Sequence, residues 1–222
     1  MTTDELVEYF PRLYHMAEAG TWESIRKHGL LSTTALLDLF EVDGQLRKQI
    51  ESAHRPECVT ITHPVQGKAV IRDQKPMREA TLLKCLDGLT PSRWYELLNR
   101  RTFFWLNSDR LTILLNARAY RDRPHCVLTV DTRRLVQRHA SGVTLCPINS
   151  GSTIYNPPIR SGKSFHRIAD YPFEERRRTR GRKGAIAELV VEYSVPDIRD
   201  MVISVEHRRQ DKVIERVWAH DL

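Results

Sequence analysis

Glu188 is the residue whose setting most calls for a chemical explanation. It stands in Ile186-Ala187-Glu188-Leu189-Val190-Val191, an otherwise apolar run in which alternation places it on one strand face with Ile186, Val190 and Glu192. A carboxylate among such neighbours is costly to bury unpaired. It marks a site, answers a structural arginine, or sits at a strand edge that reaches water. His15, in Leu13-Tyr14-His15-Met16, poses the same question: it is a satisfied core histidine or a ligand contact, with one nitrogen to donate and one to accept. Thr102-Phe103-Phe104-Trp105 reads as core, although aromatic faces also stack on flat heterocycles. Arg72-Asp73-Gln74, at a strand exit, is a local ion pair or an anion clamp.

These residues need elements to hold them. A short amphipathic start over residues 6–10 ends at Pro11 and leads into a strand through His15. A helix follows from Thr21, its expected N-cap, with Trp22 and Ile25 as apolar positions and Gly29 as its stop. Residues 34–40 and 45–53 read as helices, and 59–62 with 69–71 as a hairpin turning through Pro64 and Gly67. A helix runs from Pro76 to about Leu86, and another starts at Thr90-Pro91-Ser92, with proline where a missing N–H costs little. An aromatic strand over 102–106 precedes a helix over 108–119, then strands over 126–130 and 143–145 flank a short helix that begins near Asp131. Residues 147–184 read as one long irregular segment. Strands over 185–193, 201–206 and 213–218 close the chain. Regular βαβ spacing is absent, so the pattern predicts one α+β domain over residues 1–222.

The chain has 222 residues, enough for a sizeable core in a single domain. Its first residues are acidic where a secretory signal needs a basic start, and no run approaches the ~20 apolar residues of a spanning helix, so a cytoplasmic protein with no membrane partner is expected. Cys58, Cys85, Cys126 and Cys146 are widely spaced, which supports neither a metal site nor a redox pair. The net charge of +7 favours a polyanionic partner, and much of it sits in Arg176-Arg177-Arg178-Thr179-Arg180-Gly181-Arg182-Lys183. That run is a solvated loop or a phosphate-gripping one.

The order of these features carries a resemblance. Leu13-Tyr14-His15, then Trp22, Ile25 and Gly29-Leu30-Leu31-Ser32, resembles the opening of the ADP-ribosyltransferase families typified by the DarT DNA-modifying toxins and the RNA 2′-phosphotransferases. Ala187-Glu188-Leu189-Val190-Val191 with Val195-Pro196-Asp197-Ile198 is similar to the DarT segment that holds the catalytic glutamate. Arg101-Thr102-Phe103-Phe104-Trp105-Leu106 with Arg110-Leu111 corresponds to the central aromatic strand and helix. Ile71-Arg72-Asp73-Gln74, Pro76-Met77, Val130-Asp131-Thr132 and Ile148-Asn149-Ser150-Gly151 resemble an uncharacterised bacterial family along nearly the whole chain. The Glu-x-Glu pair of arginine-specific transferases is missing, which argues against arginine as the acceptor.

The resemblance implies an ADP-ribosyltransferase-like split β-sheet core with helical insertions, and NAD as substrate. It implies Glu188 as the catalytic carboxylate, with Arg72 or Arg101 as the assisting arginine. Tyr14, His15, Ser32, Thr33, Phe104, Trp105 and Arg110 would line the NAD site: His15 at a ribose, Phe104 or Trp105 against the nicotinamide, and Arg72 or Arg110 on the pyrophosphate. Asn149, Ser150, Arg160 and Arg180 would meet the acceptor, with DNA or RNA expected first and protein or water behind it. A toxin role would bring an antitoxin partner. The alternatives are an NAD glycohydrolase, a degenerate transferase fold that binds a partner protein, and a basic nucleic-acid-binding module without catalysis.

Overall fold

The structure is a computed structural model, and it describes residues 1–220. Helix α1 (Thr3–Tyr9) opens with a capping box in which the Glu5 N–H donates to the Thr2 hydroxyl and the Thr2 N–H to the Glu5 carboxylate. Strand β1 (Arg12–Glu18), helix α2 (Trp22–His28), the short strand β2 (Leu30–Leu31) and helix α3 (Thr33–Leu39) follow. Thr21 precedes α2 without capping it, because its hydroxyl donates instead to the Glu18 carbonyl at 2.7 Å. Helix α4 (Gly44–Ser52), the hairpin of β3 (Val59–His63) and β4 (Gly67–Ile71), and α5 (Glu79–Cys85) come next. Helix α6 (Pro91–Asn99) starts as its sequence predicts, with Thr90 as N-cap and proline first.

Strand β5 (Arg101–Trp105), helix α7 (Ser108–Asn116), strand β6 (His125–Asp131), helix α8 (Thr132–His139) and strand β7 (Val143–Cys146) complete the central part. The segment read as wholly irregular carries a helix, α9 (Phe173–Ala185), kinked at Gly181, where φ is +67°. Its residues are nearly all basic or polar, so it shows no apolar period that would betray a helix. Strands β8 (Glu188–Glu192), β9 (Ser194–Val195), β10 (Val202–Arg209) and β11 (Lys212–Ala219) end the fold.

Seven strands form one antiparallel sheet in the order β11-β10-β6-β1-β5-β8-β7, and β2 pairs with β9 apart from it. The arrangement is α+β. The main core includes Leu13, Phe104, Leu128 and Leu189 from the sheet, packed with Leu6 of α1, Trp22 and Ile25 of α2 and Leu135 of α8. Leu111 and Leu115 of α7 cover Val127, Tyr14, Met16 and Trp105. Two satellite clusters stand beside these, one of α5 and α6 around Trp94 and one of α3, α4 and the β3-β4 hairpin around Leu37, Ile61 and Ile71. All four cysteines are unpaired. No helix among the described residues is long and apolar enough to cross a membrane.

Two chain segments far apart in sequence meet at Gly29. Leu30 pairs with Val195 and Leu31 with Ser194, and the Ser32 N–H donates to the Tyr193 carbonyl at 3.0 Å. Gly29 has φ +84° and ψ 173°, a conformation essentially closed to residues with a side chain, and a Cβ there would lie 2.5 Å from the Cα of Pro196. Glycine is therefore what lets α2 turn directly against the chain that leaves β8.

Candidate active site

Strand β1 pairs with β6 along its whole length, from Arg12 with Asp131 to Glu18 with His125, yet it meets β5 at a single pair, Tyr14 with Trp105. Beyond that pair the strands part. A cavity of about 450 Å³ lies there, lined from one side by residues 15–18 of β1 and from the other by Arg101, Thr102, Phe103 and Trp105 of β5.

His15 lies at this parting. Its Nδ1 is 2.8 Å from the Phe103 carbonyl, which can only accept, so Nδ1 carries the proton. Nε2 is left as an acceptor with no protein partner among the described residues. Burial pushes the His15 pKa down to about 4, the bond to Phe103 opposes this, and the nearby Arg72 charge adds to it. The ring is neutral at neutral pH.

Glu188 lines the same cavity. Tyr14 pairs with Trp105, Trp105 with Glu188 and Glu188 with Cys146, a row across β1, β5, β8 and β7. Glu188 is 4% exposed, lines the cavity, and makes no ion pair within 4 Å among the described residues. Its partner is Ser150, whose hydroxyl donates to Oε2 at 2.7 Å and whose N–H reaches both carboxylate oxygens at 3.2 and 3.3 Å. Burial raises the Glu188 pKa to about 7, restrained by the two Ser150 donors and by the charges of Arg110 and Arg160. The structural-arginine reading of Glu188 is therefore not what the fold contains: the carboxylate is held by a serine and titrates near neutrality.

Ser150 sits on the turn after β7, and Arg160 holds that turn. The Arg160 side chain is fully buried and gives its guanidinium protons to the carbonyls of Asn149, Ser152 and Pro158, with Cys85 Sγ at 3.5 Å. Expected to face the acceptor, Arg160 gives its Nη1 and Nη2 protons to backbone carbonyls, and its buried Nε has no hydrogen-bond partner among the described residues. Its role is to position the turn that carries Ser150.

Arg72 enters from the end of β4. Its guanidinium stacks on the Tyr120 ring at 5.1 Å and its Nη1 is 3.5 Å from His125 Nδ1, whose ring donates through Nε2 to the Tyr120 carbonyl. The Tyr120 hydroxyl in turn donates to Asp73 at 2.8 Å, fixing the aromatic platform. Arg72 keeps further donors for a ligand in the cavity it lines.

Of the other expected residues, Ser32, Thr33, Trp105, Asn149 and Ser150 line this cavity. The Ser32 oxygen already accepts from the Ala35 N–H at 3.1 Å, which leaves its proton free to donate. Phe104 and Tyr14 do not line this cavity. Phe104 has no exposed surface and lies in the main core, so Phe103 takes its place as the cavity-facing ring beside Trp105. Tyr14 packs on the α7 cluster and does not line the cavity. Strand alternation carries the first signal, because Phe103 and Trp105 must share a face that Phe104 does not. Nothing local in the sequence marks Tyr120 or His125 as supports of Arg72.

Arg110 and Arg180 lie elsewhere, in a second cavity of about 270 Å³ that shares Asn149 with the first. Arg101 lines the first cavity, but its guanidinium is committed to the Leu97 carbonyl at 2.5 Å, to Glu192 and to the Phe165 ring. That leaves Arg72 as the better placed of the two candidate assisting arginines. No curated protein and no solved structure matches the chain. One family model does, over residues 11–202, and by that match the chain belongs to DUF7002, a family of unknown function.

Proposed function

We propose that the chain is an NAD-dependent ADP-ribosyltransferase with Glu188 as its catalytic carboxylate. The observation that carries this reading is the parting of β1 from β5, which brings His15, Trp105 and Glu188 from three neighbouring strands to one cavity. A parting within the sheet is in keeping with the split β-sheet core that the resemblance implies. The residues present suit NAD. The cavity falls within the ~300–1,000 Å³ of small-molecule sites, and Phe103 and Trp105 offer flat faces for a ring. His15 Nε2 is a free acceptor for a ribose hydroxyl, and Arg72 and Lys68 offer positive charge to a pyrophosphate.

Breaking the nicotinamide–ribose bond sends the bonding pair to the departing nicotinamide and builds positive charge on the sugar. Ionised Glu188 stabilises that charge through a ribose hydroxyl, and it is preorganised because Ser150 already fixes both of its oxygens. The acceptor atom then forms the new bond to the sugar carbon, and its proton passes to the carboxylate, whose pKa near 7 suits it to take one.

Nicotinamide release from NAD tests the reading. Glu188→Gln keeps the shape of the side chain and removes its charge, and the expected loss in kcat is on the order of a hundredfold to a thousandfold. Equal release by wild type and variant would overturn the assignment of Glu188. Polynucleotide binding without any NAD affinity would favour a binding module instead.

A further inference from the structure

The second cavity has no part in NAD cleavage as derived above. It is lined by Arg110, Arg176 and Arg180, contains no acidic side chain, and abuts the first cavity through Asn149. Three guanidinium groups share this cavity with no acidic residue in its described lining, Glu188 near Arg110 being the neighbouring counter-charge, so an excess of positive charge is left that an anion relieves. The Arg110 side chain makes no hydrogen bond or ion pair among the described residues, and nor does that of Arg180. Arg176 donates to the Pro147 carbonyl at 3.0 Å, while its Nε is buried with no hydrogen-bond partner among the described residues. At the mouth stands Tyr155, 95% exposed, on a turn where Tyr155 and Asn156 both have positive φ, 58° and 49°. A tyrosine held in that conformation is strained, and an aromatic face kept in water offers nothing to the fold.

We propose that this second cavity is an acceptor subsite for a nucleotide, seating its phosphate among Arg110, Arg176 and Arg180 and stacking its base on Tyr155. The word acceptor rests on the transferase reading; the binding does not. Bidentate guanidinium contacts suit a phosphate, and an exposed ring suits an unpaired base, so the ligand is a free nucleotide or one within a single strand. The shared Asn149, and the proximity of Arg110 to Glu188, place the subsite beside the carboxylate that cleaves the donor.

Equilibrium binding to the intact chain tests this with three probes: inorganic phosphate, adenosine monophosphate, and a short fluorescein-labelled single strand. Arg176→Gln and Arg180→Gln are each expected to weaken nucleotide binding by about tenfold or more. Tyr155→Ala, whose side chain is exposed and whose loss does not threaten folding, is expected to weaken it about fivefold or more while leaving phosphate binding alone. Arg178→Gln, exposed on the same helix outside the cavity, serves as the charge control and is expected to change binding far less. If the single strand binds much more tightly than the mononucleotide, with both lost in the cavity variants, the ligand is a strand; comparable affinities identify a free nucleotide, and either supports the subsite. Phosphate binding that exceeds or equals nucleotide binding and ignores Tyr155 would mean an adventitious ion only, and would overturn it. So would equal losses in Arg178→Gln and the cavity variants, or losses of NAD affinity in parallel. A chain that binds nucleotides through these residues and binds no NAD keeps the subsite and sinks the transferase reading; one that binds NAD and no nucleotide does the reverse.

Discussion

At the scale of the residue, two buried titratable groups are pushed in opposite senses. His15 is held neutral with its acceptor nitrogen unused, and Glu188 is poised to ionise near pH 7. Nicotinamide release should therefore rise with pH through about 7 as Glu188 loses its proton, and stay flat through the usual histidine range once that step is subtracted. A pH–rate profile falling across that range would place the essential group elsewhere. The same carboxylate costs stability. Its folded pKa lies above its unfolded value of 4.5, so between about 4.5 and 7 the folded chain keeps a proton that the unfolded chain has lost, and stability declines as pH rises through that window. Glu188→Gln removes this dependence. The variant is expected to be more stable than wild type at pH 8 by up to about 3 kcal/mol, with a smaller gap at pH 5, read by urea denaturation. A variant less stable at both pH values would show that the carboxylate is structural.

The sequence identified Glu188 and His15 as costly residues because each interrupts an apolar strand, a signal that survives without any structure. It could not distinguish a structural partner for Glu188 from a functional role, since Ser150 lies 38 positions away and meets it only through the turn that Arg160 ties. Arg160 itself was misread for the same reason: an arginine in a polar segment looks free until the carbonyls around it are seen.

At the scale of the element, two connections position the site. The first is the turn from β7 that carries Ser150. Replacing Arg160 by Met leaves buried carbonyls without donors, which is expected to cost about 2–4 kcal/mol. It also removes a nearby positive charge and loosens Ser150, so the pH midpoint of nicotinamide release should move above its wild-type value. An unchanged midpoint in a folded variant would mean that the turn holds Ser150 without Arg160. The second connection is Gly29. Gly29→Ala forces a side chain into a backbone region that only glycine occupies and against Pro196, so a loss of at least about 2 kcal/mol is expected, a fall in Tm of roughly 4–8 °C. A calorimetric scan decides it.

Elements with strong local chemistry were legible before folding: the β3-β4 hairpin, the Thr90-Pro91 helix start and the apolar β8. Helix α9 and the β2-β9 pair were not. The first has no apolar face to read, and the second is two residues long on each side, held together by a contact between distant segments.

At the scale of the whole molecule, the first cavity is shared between the main core and a satellite. Its walls come from β1 and β5 of the main sheet and also from α3 and β4, and the latter two pack in their own small cluster with α4 and β3. Small clusters outside the main core are the parts that open most readily. A ligand that bridges the two should slow amide hydrogen exchange in residues 33–39 and 67–71 more than in β6, and exchange unaffected there would place the ligand elsewhere. The net charge of +7 acts at this scale too, favouring the approach of an anionic ligand such as the proposed NAD.

Calorimetric titration of NAD into the wild-type chain at pH 7, repeated in two buffers of different ionisation enthalpy, decides whether Glu188 faces bound NAD. Saturable binding with proton release is expected, because the cationic nicotinamide ring favours ionised Glu188, and the release is expected to disappear in Glu188→Gln. A folded wild-type chain that gives no binding heat in either buffer would contradict the transferase reading.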